Sequence, residues 1–137
     1  MKIENKNRGI LLVDDDAICN IICKKLIEEL GFKNPVEIAT NGRSALHYLE
    51  LAVNEKSKPL PGLILLDINM PVMNGWEFLE TLEELSENLL PDIKVVMVTS
   101  SISPFDIKKA KNTKMISEFI TKPVNLKTMA EVLERYI

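Results

Sequence analysis

Short apolar runs alternate with helical periodicity along the whole chain. Ile10–Val13 is a compact apolar run that ends in Asp14, Asp15 and Asp16. Across residues 17–30, Ile18, Ile21, Ile22, Leu26 and Leu30 recur at the spacing of a helix that buries one face. Gly31 follows as a C-terminal cap. Val36–Ala39 is a short strand candidate, and Thr40-Asn41-Gly42 leads into a second helix that reaches about Leu51. Residues 54–62 combine Lys, Glu, two Pro and a Gly and predict a surface loop. Leu63–Leu66 is continuously apolar, as a strand covered on both faces must be, and ends in Asp67. Asn74-Gly75-Trp76-Glu77 has the form of a capping box opening a third helix. Ile93–Val98 is a fourth buried strand ending in Thr99. Ser103-Pro104-Phe105-Asp106 starts a helix with Pro at its first position. Phe119-Ile120 forms a short fifth strand before Lys122-Pro123. Asn125 then caps a last helix whose apolar positions include Leu126, Met129, Val132 and Leu133.

Five strands alternating with five helices predict an α/β fold, a doubly wound parallel sheet with helices on both faces and right-handed crossovers. The 137 residues suffice for one domain with a real core. No repeat, low-complexity tract or second domain interrupts the pattern. The expected organisation is a short N-terminal tail, residues 1–8, followed by one domain over residues 9–137.

Composition narrows the function classes. The net charge is −3 with both signs spread along the chain, which gives no electrostatic reason to expect nucleic acid or an anionic membrane as a partner. The longest apolar run, around Val95–Val98, is far too short to span a bilayer. The first residues, MKIENKNRG, lack the apolar centre of a secretory signal, so a cytoplasmic location is expected. Cys19 and Cys23, at i and i+4, are the only cysteines, and the single histidine, His47, is remote in sequence. That inventory predicts two small buried thiols on a helix rather than a zinc site.

The polar residues that end the strands change the picture. In an open parallel sheet the carboxyl ends of the strands form the ligand crevice. Asp14 and Asp15, Asp67, Thr99 and Lys122 therefore converge by topology alone. Two carboxylates about 4 Å apart repel by on the order of 4 kcal/mol at an effective dielectric of about 20. Several ionised Asp in one crevice thus require cations. Lys122 supplies one positive charge, and Mg²⁺ suits a site of one or two carboxylates, waters and a phosphate oxygen. A remaining carboxylate oxygen can then act as a nucleophile toward phosphorus, with the cations and the Thr99 hydroxyl neutralising the transferred group. Ser100, Ser101 and Ser103 have no supporting His, and no Gly-rich phosphate loop is present.

VDDD at 13–16, LLDINMPVMNG at 65–75, VVMVTSS at 95–101 and FITKPV at 119–124 together resemble the receiver domains of two-component response regulators, stand-alone chemotaxis-type regulators included. The resemblance covers residues 9–137 and implies a flavodoxin-like fold with strand order 2-1-3-4-5. It implies Asp67 as phosphoacceptor, Asp15 as direct Mg²⁺ ligand, Asp14 as a ligand through water and the backbone carbonyl of Asn69 as a third metal position. Thr99 matches the switch hydroxyl, Phe119 the switch aromatic, and Lys122 the lysine that precedes a cis-proline, here Pro123. Two positions depart from the pattern. Ser100 stands where Ala or Gly is common, and Asp16 extends the acidic pair, which leaves Asp16 as a helix N-terminal charge. Asn69 and Ser101 occupy places that influence autodephosphorylation in that family.

The implied function is phosphorelay signalling. A histidine kinase or histidine phosphotransfer protein donates a phosphoryl group, and the surface of the fourth helix, fifth strand and fifth helix switches to control an effector protein. The domain is then a monomer or a phosphorylation-dependent dimer and a switch rather than a metabolic enzyme. No DNA-binding or catalytic segment follows in the sequence, so output by protein contact is expected. Lys108, Lys109, Lys111 and Lys114 make the fourth helix basic, either as a solvated face or toward an acidic partner, and Trp76 is expected at the edge of the core. A haloacid-dehalogenase-type phosphatase needs a second Asp where Asn69 stands. A flavodoxin needs a Ser/Thr-rich loop where Asp14–Asp16 stand, and a dinucleotide enzyme needs glycines there. The remaining rival is an interaction module that keeps the fold without phosphorylation; the joint presence of Asp14, Asp15, Asp67, Thr99 and Lys122 argues against it.

Overall fold

In the computed structural model, which describes residues 8–89, 92–101 and 103–137, strands and helices alternate strictly. They are β1 (Gly9–Val13), α1 (Ala17–Glu29), β2 (Val36–Ala39), α2 (Gly42–Glu50), β3 (Pro61–Leu66), α3 (Gly75–Leu89), β4 (Lys94–Thr99), α4 (Pro104–Lys111), β5 (Ile116–Thr121) and α5 (Leu126–Tyr136). The strands form one sheet in the order β2-β1-β3-β4-β5, and every neighbouring pair is parallel. The expected fold class and order are thus both found. Of the tail assigned to residues 1–8, residues 1–7 lie outside the described residues.

The pleat divides the core into two layers. Leu11, Val13, Ile64, Leu66, Val95 and Met97 point to one face, against Leu46 and Leu49 of α2 and Phe78 and Leu82 of α3. Their neighbours Ile10, Leu12, Leu63, Leu65, Val96 and Val98 point to the other, against Cys23 and Ile27 of α1 and Met129 and Val132 of α5. This explains why β1, β3 and β4 read as unbroken apolar runs, because both of their faces are buried.

Local chemistry sets the helix starts. The Asp16 carboxylate caps α1 by accepting from Ile18 and Cys19 N–H, and Asn41 caps α2 by accepting from Ser44 N–H. At α3 the capping box closes in both directions: Glu77 N–H donates to Asn74 Oδ1 at 2.9 Å and Asn74 N–H to Glu77 Oε1 at 3.0 Å. Asn125 caps α5. Ser103 holds the cap position of α4 with Pro104 next, but its side chain makes no capping bond. Past α1, Gly31 takes φ +85°, the left-handed conformation that a C-terminal glycine supplies without strain. The second helix continues as a π-helical turn, Leu51–Glu55, so the connection to β3 is shorter than the loop expected over residues 54–62.

One expectation fails. The face of α1 that packs on the sheet is not the isoleucine stripe: Ile18, Ile21 and Ile22 are 69%, 55% and 47% exposed, and Leu30 is exposed too. Asn20, Cys23 and Ile27 are buried in their place. The physical reason lies at the N-terminus of the helix. Capping by Asp16 and the bond from buried Asn20 Nδ2 to the Asp14 carbonyl, 2.8 Å, fix the rotation of the helix so that positions 20, 23 and 27 face inward. The thiols are accordingly unequal, with Cys23 buried and Cys19 half-buried. Leu126, counted with the apolar positions of α5, is also exposed.

The β3–α3 connection carries backbone strain. Val72 sits at φ +68°, and Met73 N–H donates to the Pro71 carbonyl across it at 2.7 Å. A β-branched residue at positive φ in so tight a turn is costly. Its side chain is 75% exposed, so burial does not offset the strain. Val72→Gly is expected to stabilise the protein by about 1 kcal/mol, the strain released less the added freedom of the unfolded chain. A higher urea midpoint with unchanged slope is the expected reading.

Candidate functional site

Four strand ends deliver their polar residues to one crevice. Asp14 and Asp15 follow β1, Asp67 follows β3, Thr99 closes β4, and Lys122 follows β5. Asp14, Asp67 and Thr99 are buried, whereas Asp15 is exposed at the rim. One carboxylate oxygen from each of Asp14, Asp15 and Asp67 lies within 4.8 Å of the others. Lys122 Nζ is 2.7 Å from Asp14 Oδ2 and 3.5 Å from Asp67 Oδ2. Its peptide bond to Pro123 is cis, as the resemblance implied. The structure therefore brings together every side chain singled out for the chemistry. Asn69 lies exposed in the loop just beyond Asp67, and Phe119 is half-buried in β5 against the core layer of α2 and α3.

The two oxygens of Asp67 have different surroundings. Oδ1 accepts from the Ile68 N–H at 2.8 Å, and Oδ2 faces Lys122. Burial and then the Asp14 charge raise the Asp67 pKa above the ordinary carboxylate value, against the opposing effects of Lys122, the Thr99 hydroxyl and Ile68 N–H. On Lys122, burial works against the charge, but the hydrogen bond to Asp14 and the charges of Asp67 and Asp14 outweigh it, and its pKa is raised. The ammonium is thus held charged between two carboxylates, while Asp67 is the group under electrostatic tension.

The donor set suits a hard cation. It offers carboxylate oxygens only, and the crevice holds more negative than positive charge. The neighbouring thiols do not compete. Burial, then the adjacent Cys23, pushes the Cys19 thiol up to about 12, and burial raises Cys23 as well. Protonated thiols are poor metal ligands and poor nucleophiles. Beside the crevice, a concavity of about 370 Å³ runs from Lys122, Pro123 and Val124 to Ile18, Cys19 and Ile22 of α1.

Two features at the site escaped the sequence reading. Asn20 anchors the Asp14 carbonyl; a polar residue within an otherwise apolar helical stripe was its only sign. Ser101, Asp106 and Trp76 form a connected set beside Thr99. The Ser101 hydroxyl donates to Asp106 Oδ2 at 2.7 Å, and the Trp76 indole N–H donates to Asp106 Oδ1 at 3.1 Å. Trp76 does stand at the core edge, as expected, half-buried and packed against the layer of α2 and α3.

Comparison with known proteins agrees with this geometry. A family model, described as the response regulator receiver domain, matches residues 10–134. Chemotaxis protein CheY-3 of Vibrio cholerae is 32% identical over 133 residues, covering 97% of this chain and 94% of its own. A two-component response regulator from Cytophaga hutchinsonii superposes with a TM-score of 0.80 at 25% identity, covering 94% of this chain and 96% of that one. The Mn²⁺-bound form of response regulator Rcp1 superposes with a TM-score of 0.75 at 26% identity, covering 93% and 90%. Some curated relatives are much longer, and the match spans 33% of one and 7% of another.

Proposed function

The chain belongs to the response regulator receiver domain family of two-component signalling, and on that footing we propose that it accepts a phosphoryl group on Asp67 and switches a partner-binding surface in response. The observation that carries the reading is the Lys122 ammonium set between Asp14 and Asp67 at the mouth of the crevice. An Asp oxygen attacks the phosphorus of a phosphohistidine. The O–P bond forms as the N–P bond breaks, and the donor imidazole leaves with the electron pair. Lys122 faces the equatorial oxygens, and the Thr99 hydroxyl turns to another. Asp14, Asp15, Asp67 and the Asn69 carbonyl would hold Mg²⁺, which supplies the remaining charge neutralisation when bound.

The donor is a histidine kinase or a histidine phosphotransfer protein, and the output is contact with an effector protein. The exposed isoleucines support the donor assignment. Ile18 and Ile22 border the concavity that opens beside Lys122, so a protein donor can bury them while its histidine reaches Asp67. Thr99 moving to the phosphoryl group vacates space for Phe119, and full burial of a Phe is worth roughly 1.5–3 kcal/mol, sufficient to bias the α4–β5–α5 surface.

Phosphoramidate, a small donor with the same N–P bond, tests the chemistry without a protein partner. Uptake is expected with Mg²⁺ and is expected to stop when EDTA removes the metal; EDTA-insensitive uptake contradicts the reading. Ile18→Glu with Ile22→Glu is expected to leave this uptake intact and to slow transfer from a histidine-phosphorylated protein.

A further inference from the structure

Thr99 is wholly buried at the end of β4, and its hydroxyl oxygen accepts the Ser101 N–H at 3.2 Å. The same hydroxyl holds the Asp67 pKa down against burial and the Asp14 charge. Ser101 in turn spends its own hydroxyl on Asp106 Oδ2, while Ser103 N–H leans on the same hydroxyl oxygen at 3.4 Å. Asp106 lies in the first turn of α4, and its second oxygen takes the indole N–H of Trp76, in the first turn of α3. The Lys109 ammonium sits 4.8 Å from the Trp76 ring centroid and 5.7 Å from that of Phe105, which is 69% exposed. A set of hydrogen bonds therefore joins the Thr99 hydroxyl, beside the acceptor carboxylate, to an aromatic and basic patch where α3 and α4 begin.

We propose that Ser101 and Asp106 are positioning residues that couple the Thr99 hydroxyl to the α3–α4 face. The inference rests on the proposed role of Asp67 and Thr99, and adds a second way out of the site, separate from Phe119. Before transfer, the Thr99 oxygen accepts the Ser101 N–H beside the Asp67 carboxylate. After transfer, the carboxylate carries phosphorus, and the Thr99 hydroxyl proton is directed to a phosphoryl oxygen. The oxygen of Thr99 turns with it and leaves the Ser101 N–H without its acceptor. Ser101 then has to shift to satisfy that part-buried N–H, since a backbone donor left unpaired away from water is costly. Ser101 carries Asp106 with it, and Asp106 carries Trp76. Both oxygens of the Asp106 carboxylate are committed to this chain, so a displacement of Ser101 reaches the indole instead of dissipating in α4.

Trp76 is the only tryptophan of the chain, so its emission reads the far end of the chain directly. Wild type, Ser101→Ala, Ser101→Thr and Asp106→Ala are incubated with acetyl phosphate and Mg²⁺, and mass gain is followed beside emission. In wild type the emission is expected to change in proportion to the adduct. Ser101→Ala keeps the backbone N–H to the Thr99 hydroxyl but lacks the hydroxyl to Asp106; at an adduct fraction matched to wild type, whatever its rate of loss, the emission change is expected to vanish, and Ser101→Thr to restore it. Asp106→Ala is expected to gain mass with no further emission change. A full emission change in phosphorylated Ser101→Ala would show that Trp76 feels the charge at Asp67 through space, and would overturn the inference. So would a phosphorylated wild type with unaltered emission. Wild type that gains no mass overturns the role of Asp67 itself, a failure the mass channel separates from the other two.

Discussion

Lys122→Ala is expected to slow phosphoryl uptake by about 10²–10³-fold, the usual cost of deleting one group aimed at developing charge. The same change leaves Asp14 and Asp67 facing each other without their shared cation. Solvent at the crevice mouth moderates the penalty, so a loss on the order of 1–2 kcal/mol is expected rather than the full cost of an orphaned buried charge. Mg²⁺ should restore more stability to Lys122→Ala than to wild type, because it replaces the missing charge where the carboxylates are crowded. The pH dependence follows from the two raised pKa values. For Lys122, the folded pKa lies above the unfolded one, so its stabilisation is fully present below the ordinary lysine value and fades as the pH rises through the raised one. For Asp67, a raised folded pKa means the folded state holds its proton more tightly. Stability without metal therefore falls as the pH climbs from the ordinary carboxylate value through the raised one. Thermal melts of both proteins with and without Mg²⁺ check each sign, the acid to neutral range reading Asp67 and the strongly alkaline range reading Lys122.

Gly75→Ala is expected to damage both fold and chemistry. The residue opens α3, and its N–H donates to the Ile68 carbonyl at 2.8 Å. A methyl group at that position would collide with the Asp67 carbonyl and crowd the Ile68 Cα, both backbone atoms that cannot swing aside. The expected cost is about 1–3 kcal/mol, as for other overpacked sites. Because the displaced backbone is that of the acceptor itself, uptake should fall by about 10²-fold, the effect of a misplacement near 1 Å. A variant with lowered denaturation midpoint and unchanged uptake would show that the acceptor tolerates the shift.

How much of this was legible beforehand depended on the kind of signal. Leu63–Leu66 and Val95–Val98 had to be strands buried on both sides, and their last residues had to meet at one edge of the sheet. Asp14, Asp67, Thr99 and Lys122 were therefore placed by topology before any contact was known. The caps at Asn74 and Asn125 were legible because their partners lie a few residues away. The rotation of α1 was not: isoleucines line one stripe, a buried Asn and Cys another, and hydrophobicity alone chose the wrong one. What decided it was the short amide of Asn20 reaching back to the Asp14 carbonyl, which periodicity does not register. Nor could the sequence join Ser101, Asp106 and Trp76. Asp106 reads as an ordinary first-turn acid, and its indole partner lies 30 residues away.

Ile18 and Ile22 of α1 border the concavity beside Lys122, and the aromatic, basic patch of α3 and α4 lies at the far end of the Thr99 hydrogen bonds. Under the proposed function the first suits a donor that must reach Asp67, and the second a reader of its state.

Intact-mass measurement after incubation with acetyl phosphate and Mg²⁺, wild type beside Asp67→Asn, tests whether Asp67 is the phosphoacceptor. One phosphoryl adduct is expected on wild type, stable in acid and labile in base as an acyl phosphate is, and none on Asp67→Asn. An equal adduct on both proteins, or none on a folded wild type that binds Mg²⁺, would contradict that role.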